Sequence, residues 1–342
     1  MISRPGSIHL IHKIMDTNDI TFSVTVHLNG KQLANDFAAQ SPSRFEENVV
    51  GGATALEVAR PRSYYQGYEG YTKDFLDIPV ELPTLTEEQR RNAAKNSDTK
   101  SINDPTILPY THFSIVMNRR RQLAYYTAVN IDGSQSQELS RGKDRWFFDS
   151  RIAESEQIGE ALYSRNALDR GHLVRRLDPV WGPQAQRAND DTFHFTNCSP
   201  QHARFNQGQD LWQGLENYLL HTADIKNKRI TVFTGPVMQE DDPLYKGVRL
   251  PLAFWKILVY VKGENLAAAA YMLEQEQLIE DMLGREAAFE AGTFRVELNE
   301  IKTRTGLDFD YLKAHELPLS ANGLELVAKR FRIRMDYKNL SM

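Results

Sequence analysis

Two short stretches of the sequence carry residue types suited to hydrolysis at phosphorus. The first is Asp169-Arg170-Gly171-His172. On a strand, side chains two apart share a face, so Arg170 and His172 would project together. Gly171 between them leaves the backbone open to close approach. A cation beside an imidazole disfavours protonation of the ring, which suits a neutral base next to a phosphate better than a buried structural histidine. In a metal-assisted hydrolysis the base takes a proton from water near neutral pH, and histidine is suited to that. Taken alone, a histidine in a strand is more often a satisfied core residue. The second stretch runs from Thr196-Asn197-Cys198-Ser199-Pro200-Gln201 through Phe205-Asn206-Gln207-Gly208 to Leu215-Glu216. Magnesium prefers oxygen ligands and keeps several waters, so one amide can be enough protein ligation. Asn206 at a helix start would offer its carbonyl oxygen without adding negative charge that repels a phosphate; the alternative for an asparagine there is helix capping.

Composition narrows the classes of protein that could carry this chemistry. The 342 residues are 41% hydrophobic and 25% charged, the profile of a globular protein with room for one large core or two modest ones. No run approaches about 18 apolar residues, so no membrane-spanning segment is expected. The formal net charge of −4 excludes a protein that wraps long stretches of nucleic acid through a basic surface. Any phosphate contact must come from local clusters, of which there are three: Arg119 to Arg121, Arg141 to Arg145, and Arg170 with Arg175 and Arg176. For the first, a solvated face is the simpler reading. The single cysteine, Cys198, excludes an internal disulfide and agrees with a reducing compartment. Histidines and Lys13 interrupt the apolar residues of Ile8–Met15, so no secretory signal is expected and the protein reads as cytoplasmic.

The elements that must position these residues follow from periodicity. Residues 19–28 alternate with period two and end at Asn29-Gly30, a strand entering a hairpin turn. Residues 40–105 have little periodic pattern; Tyr64, Tyr65, Tyr68 and Tyr71 sit there among glycines, and Leu82 to Glu88 reads as extended chain entering a helix capped by Thr86. This segment is expected to wrap over a core that lies further on. Strands are expected at 112–117 and 124–130 around the Arg119–Arg121 turn, at 168–174, at 229–235 where Gly235-Pro236 stops the chain, and at 253–261 paired with 266–273. Asp191 to Asn197 is a further apolar-rich run. Phe205 to Leu220 and Val296 to Gly306 read as helices. Strands with helices between them, without βαβ alternation, make an α+β domain.

Asp169–His172, Thr196–Gln201, Asn206-Gln207-Gly208 and Leu215-Glu216 together resemble the DNA/RNA non-specific endonucleases with a ββα-metal site, the group that includes secreted bacterial nucleases and mitochondrial endonuclease G. The likeness continues in order. Lys143-Asp144-Arg145-Trp146 precedes the histidine motif, Val232 to Pro236 looks like the family's strand ending in Thr-Gly-Pro, and Trp255-Lys256 falls in a strand like its next one. Phe294-Arg295-Val296 and Glu300 through Leu307 look like its C-terminal helix. The resemblance covers roughly residues 105–310 and rests on five ordered motifs. It implies a ββα-metal fold with a central, mostly antiparallel sheet flanked by helices, assigned to residues 61–342, with residues 1–60 as a β-containing N-terminal extension.

The resemblance also implies roles: His172 activates water, Asn206 binds Mg2+ (or Mn2+) directly, Glu216 organises the ion's water shell, Arg170 and Arg145 hold the scissile phosphate, and Asn197 supports the histidine region. The substrates would be DNA and RNA, bound through backbone phosphate with little base readout, and the ion would stabilise the developing charge, leaving 5′-phosphate ends. One departure matters. The family spaces its asparagine and glutamate eight residues apart, whereas Asn206 and Glu216 are ten apart, with Gln209-Asp210 as the extra pair. At about 100° per residue a continuous helix would misplace Glu216. A bulge before the helix settles is the favoured resolution; the other is that Asp210 takes part of the metal role.

A non-specific nuclease kept in the cytoplasm needs restraint, so the sequence suggests a regulated defence effector or a toxin. Residues 1–60 would then dock an inhibitor or activating partner, and a homodimer is compatible with the chain. The competing readings are a catalytically silent nucleic-acid-binding protein and a narrower nucleotide phosphodiesterase. The retained His172, Asn206 and Arg170 speak against the first. Cys198, His194 and His202 are read as packing residues, and Trp146 and Trp255 as core.

Overall fold

The structure, a computed structural model, describes residues 58–98, 104–142, 144–208, 212, 228–285 and 292–319, with the backbone of Phe331–Arg332. These residues belong to one compact unit, Leu56–Met342. The strand expected at 19–28 and nearly all of the 1–60 extension lie outside the described residues.

Among the described residues, eight strands form the central sheet. In chain order they are β1 (Ile107–Pro109), β2 (Phe113–Asn118), β3 (Leu123–Asp132), then β6 (Arg229–Val237), β7 (Ala253–Lys262), β8 (Asn265–Glu274), β9 (Gly292–Val296) and β10 (Phe331–Arg332); β4 (Leu168–His172) and β5 (Cys198–His202) stand apart from it. The order across the sheet is β10-β9-β8-β7-β6-β3-β2-β1, antiparallel throughout. Short connections make this possible: β7 and β8 pair from Ala253↔Glu274 to Lys262↔Asn265 around a turn at Gly263-Glu264. The α+β class with a mostly antiparallel sheet is thus what the chain adopts.

Both faces of the sheet are covered, which is why its strands read as nearly continuous apolar runs. Along β7 the faces alternate. Phe254 and Leu258 join a cluster with Phe205 and Trp212, whereas Trp255 and Ile257 join one with Ile301 and Phe309. The second face carries α4 (Leu298–Thr305), which ends at Gly306 in the left-handed region (φ 73°), its N–H bonded to the Lys302 carbonyl. The stretch Val296–Gly306 therefore splits into the end of β9 and a helix. The first face carries the site elements and also Tyr65 and Tyr68, so the tyrosine-rich segment does wrap the core. Thr86 caps α1 (Glu87–Asn92) reciprocally with Gln89, as expected.

Gly235-Pro236 does not end β6, which runs on to Val237. Pairing with β3 stops at Thr234, and beyond it the strand pairs with β7 alone. A proline is tolerated on such a one-sided stretch. Gly235 is required because a Cβ would run into the Tyr125 carbonyl and the Trp255 ring.

Outside the main sheet, β4 (Leu168–His172) and β5 (Cys198–His202) form an antiparallel pair in the register Asp169↔Gln201, Gly171↔Ser199, His172↔Cys198. The chain then turns directly into α3 (Ala203–Asn206). This is the expected strand–strand–helix unit. The run Asp191–Asn197 is not part of it as a strand. It holds the end of α2 (Ala185–Asp191) and a 3-10 turn at Phe195–Asn197, and Phe193 and Phe195 bond the backbone of Phe147 instead. The helix expected over Phe205–Leu220 is also interrupted: α3 ends at Asn206, Gln207 and Gly208 are not helical, and Trp212 is helical again. Asn206 is therefore the last residue of a short helix rather than the first of a long one.

Candidate active site

The β4–β5–α3 unit sets one side of a cleft of about 730 Å3, lined among others by His172, Asn206, Arg170, Arg141, Arg175 and Arg176. Strand alternation accounts for the first pairing, since Arg170 and His172 leave the same face of β4. Gly171, between them, is closely approached by a side chain of the neighbouring strand. The fully buried Gln201 side chain lies across it, and a Cβ would overlap that side chain.

His172 is held by aromatic rings. Its centroid is 4.7 Å from that of Trp146 and 5.1 Å from that of Phe193, which meets it edge-on. Part of the residue faces the cleft, yet its Nε2 is buried and has no hydrogen-bond partner among the described residues. Burial, reinforced by Arg141, Arg176 and Arg170 and opposed by Asp144, pushes its pKa from 6.5 down to about 3. The unfolded chain binds the proton first. The stability associated with the neutral ring is thus intact above pH 6.5 and is lost as pH falls from there toward about 3. In the folded protein the ring stays neutral until the pH approaches about 3. Consequently kcat/KM at saturating divalent ion should show no acid limb centred near 6.5; a pH profile with its midpoint there would mean that the ring is solvated like a free histidine.

Asn206 is oriented by a residue to which sequence reasoning assigned no role. Its Nδ2 donates to Asp169 Oδ2 at 2.9 Å, and Gln207 Nε2 donates to the same oxygen at 2.8 Å. With the NH2 end committed, the carbonyl oxygen of Asn206 is the end available to an ion. Among the described residues no group of three or more His, Cys, Asp or Glu comes together to hold a metal. A metal ion here would have to rest on the amide oxygen and water, a donor set that fits a hard cation keeping most of its hydration, such as Mg2+. The orphaned Nε2 of His172 in the same cleft agrees with that reading.

The remaining expected residues divide. Asn197 is buried outside the cleft. Its Oδ1 accepts from Val174 N and its Nδ2 donates to the carbonyls of Val174 and Thr192, so it clamps the backbone just after His172. Arg145 is not brought together with His172. It is exposed, with its guanidinium over Phe147 at 5.0 Å, because alternation along 145–147 sends Trp146 toward the imidazole and Arg145 with Phe147 the other way. Arg141, from the same basic cluster, lines the cleft instead. Trp146 is correspondingly a wall of the cleft rather than core, whereas Trp255 is fully buried. Glu216 and Asp210 lie outside the described residues. The buried Lys256 packs on the Trp212 ring at 4.1 Å and donates to Thr234 Oγ1 and the Leu173 carbonyl, tying the sheet to the residue after His172.

The other flanking groups are structural. His194 is buried, bonded to the Tyr65 hydroxyl and the Asp191 carbonyl, and His202 caps α3 by accepting from Arg204 N. Burial pushes the Cys198 thiol up to about 12, which leaves it inert.

A family model for DNA/RNA non-specific endonucleases matches residues 91–315 of this chain. An uncharacterized protein, y4fB, of Sinorhizobium fredii is 44% identical over 266 residues, which is 73% of this chain and 40% of that protein. The mitochondrial endonuclease G of Homo sapiens is 27% identical over 173 residues, 47% of this chain and 54% of that protein. The chain thus spans about half the length of these relatives or less. Among solved structures, a crystal structure of the EndoG/EndoGI complex matches with a TM-score of 0.45 and 18% identity, over 59% of this chain and 84% of the other.

Proposed function

The chain belongs to the family of DNA/RNA non-specific endonucleases, and from that premise we propose that it hydrolyses phosphodiester bonds of DNA and RNA in a divalent-ion-dependent reaction with His172 as general base. The observation that carries the proposal is the buried Nε2 of a neutral His172, without a hydrogen-bond partner among the described residues, in an arginine-lined cleft that also contains Asn206. Water attacks the phosphorus and passes its proton to the imidazole as the new P–O bond forms and the bond to the 3′ oxygen breaks, leaving a 5′-phosphate. Trp146 and Phe193 fix the plane of the ring during that transfer. Arg170 and Arg141 bind the phosphate oxygens, so that backbone rather than base is recognised. A magnesium ion on Asn206 and its own waters, with Glu216 ordering that shell, would supply charge stabilisation at the phosphate and the leaving oxygen. Asp169 holds the Asn206 amide in the ligating orientation.

Incubating the purified protein with plasmid, single-stranded DNA and RNA, with magnesium or manganese and with chelator, tests the proposal. Cleavage of all three with either ion and of none with chelator is expected; cleavage undiminished by chelator would overturn the metal role. Asp169→Ala should raise the ion concentration for half-maximal rate by about 10–100-fold, with much of the rate recovered at saturating ion. An unchanged ion dependence would remove Asp169 from the site. We also propose that the protein acts in the cytoplasm and that residues 1–60 dock a restraining or activating partner. Their deletion altering neither activity nor assembly would remove that second proposal.

A further inference from the structure

The two arginines assigned to the substrate are already held in the free protein. Arg170 Nη1 lies 2.6 and 2.8 Å from the two carboxylate oxygens of Glu160, which opens a 3-10 turn at Glu160–Leu162. Arg141 Nε donates to Asp144 Oδ1 at 3.0 Å. A carboxylate paired with a guanidinium occupies the place a phosphate would take. Among the described residues five arginines and three carboxylates line the cleft, so its positive charge is largely offset from within. The Arg170–Glu160 pair is 30% and 49% exposed, so it can separate into solvent without stranding a buried charge. The guanidinium itself is held in place by more than its partner, since it lies 5.7 Å from the Tyr163 ring and 6.0 Å from that of Trp146.

We propose that Glu160 is a specificity-determining competitor: it occupies the phosphate seat of Arg170 and sets the threshold at which substrate enters the cleft. This rests on the nuclease reading of the same site. A lone phosphate or mononucleotide must displace Glu160 with a single contact. A polynucleotide brings neighbouring phosphates to Arg141, Arg175 and Arg176 at once, and their summed attraction opens the pair. The cleft thereby favours polymers and releases short products.

The test is equilibrium binding of a short labelled DNA duplex by the full-length protein in chelator, across a salt series, alongside plasmid cleavage by the wild type with magnesium. Glu160→Gln should bind about three- to five-fold more tightly, the size expected for removing one exposed ion pair. The slope of log K against log salt should steepen by up to about 0.9, one more phosphate neutralised. Glu264→Gln, in the exposed β7–β8 turn, makes the same charge change away from the cleft and should do neither. In an Arg170→Ala background the Glu160→Gln gain should vanish. Glu160→Gln binding as the wild type or more weakly would overturn the proposal, because Glu160 would then be positioning Arg170 rather than competing for it. Equal tightening by Glu264→Gln would also overturn it. A wild type that binds in this way but leaves plasmid intact would instead sink the nuclease reading.

Discussion

Replacing His172 with alanine or asparagine is expected to lower kcat/KM for plasmid cleavage by about 10²–10⁴, the usual contribution of a general base, while the protein folds and still binds nucleic acid. The expectation follows from what surrounds the ring. Its Nε2 has no hydrogen-bond partner among the described residues, so removing the imidazole breaks none of their hydrogen bonds at that atom. What is lost in the alanine variant is contact with Trp146 and Phe193, and some stability with it. Asparagine fills part of that space and cannot take a proton at neutral pH, so it separates chemistry from packing. Both variants should bind a DNA duplex in chelator as the wild type does, because Arg170 and Arg141 remain. A folded His172→Asn protein that cleaves at the wild-type rate would remove the base from His172. The same variant should also lose part of the acid sensitivity between about pH 6.5 and 3, because it has no ring to protonate on unfolding.

Much of this arrangement is legible in the sequence, and the reasons differ by residue. The main strands announce themselves because β2, β3, β6, β7 and β8 are long and buried on both faces. Arg170 and His172 are legible as a pair because strand periodicity alone puts them on one face. The exchange of Arg145 for Arg141 is not, since it depends on which side of the short 145–149 segment faces the cleft, and that is set by backbone bonds of Phe147 to Phe193 and Phe195, nearly fifty residues on. Asp169 stands within its motif, but nothing in the sequence gives it a role. Its bonds to Asn206 and Gln207 exist only once α3 folds back against β4. The end of α3 at Asn206 was hidden for a related reason. Periodicity carries an apparent helix through Gln207-Gly208, whereas the bond from Gln207 to Asp169 ties the chain to β4 at that point. The break falls just before Gln209-Asp210, which lie outside the described residues.

Removing the amide of Asn206 should have the second large effect, and it should differ in kind from that of His172. Asn206→Ala takes away a side-chain oxygen that lines the cleft with its amide NH2 end already committed to Asp169. Apparent affinity for magnesium or manganese should fall by more than the roughly 10–100-fold that an outer partner such as Asp169 is expected to cost. Raising the ion concentration should recover only part of the rate. Binding of a DNA duplex in chelator should be unchanged, since Arg141, Arg170 and Arg176 are untouched. Asn206→Asp supplies the oxygens but sets a second carboxylate against Asp169, 2.9 Å from the present amide nitrogen. Like charges at that distance cannot both ionise easily, so one of the two should hold a proton and the ion dependence should become steeply pH-dependent where the wild type's is not. The graded series Asp169→Ala, Asn206→Asp, Asn206→Ala thus separates orientation of the amide from its presence. Asn206→Ala cleaving plasmid with the wild-type dependence on magnesium would place the ion elsewhere and leave Asp169 orienting an amide for some other purpose.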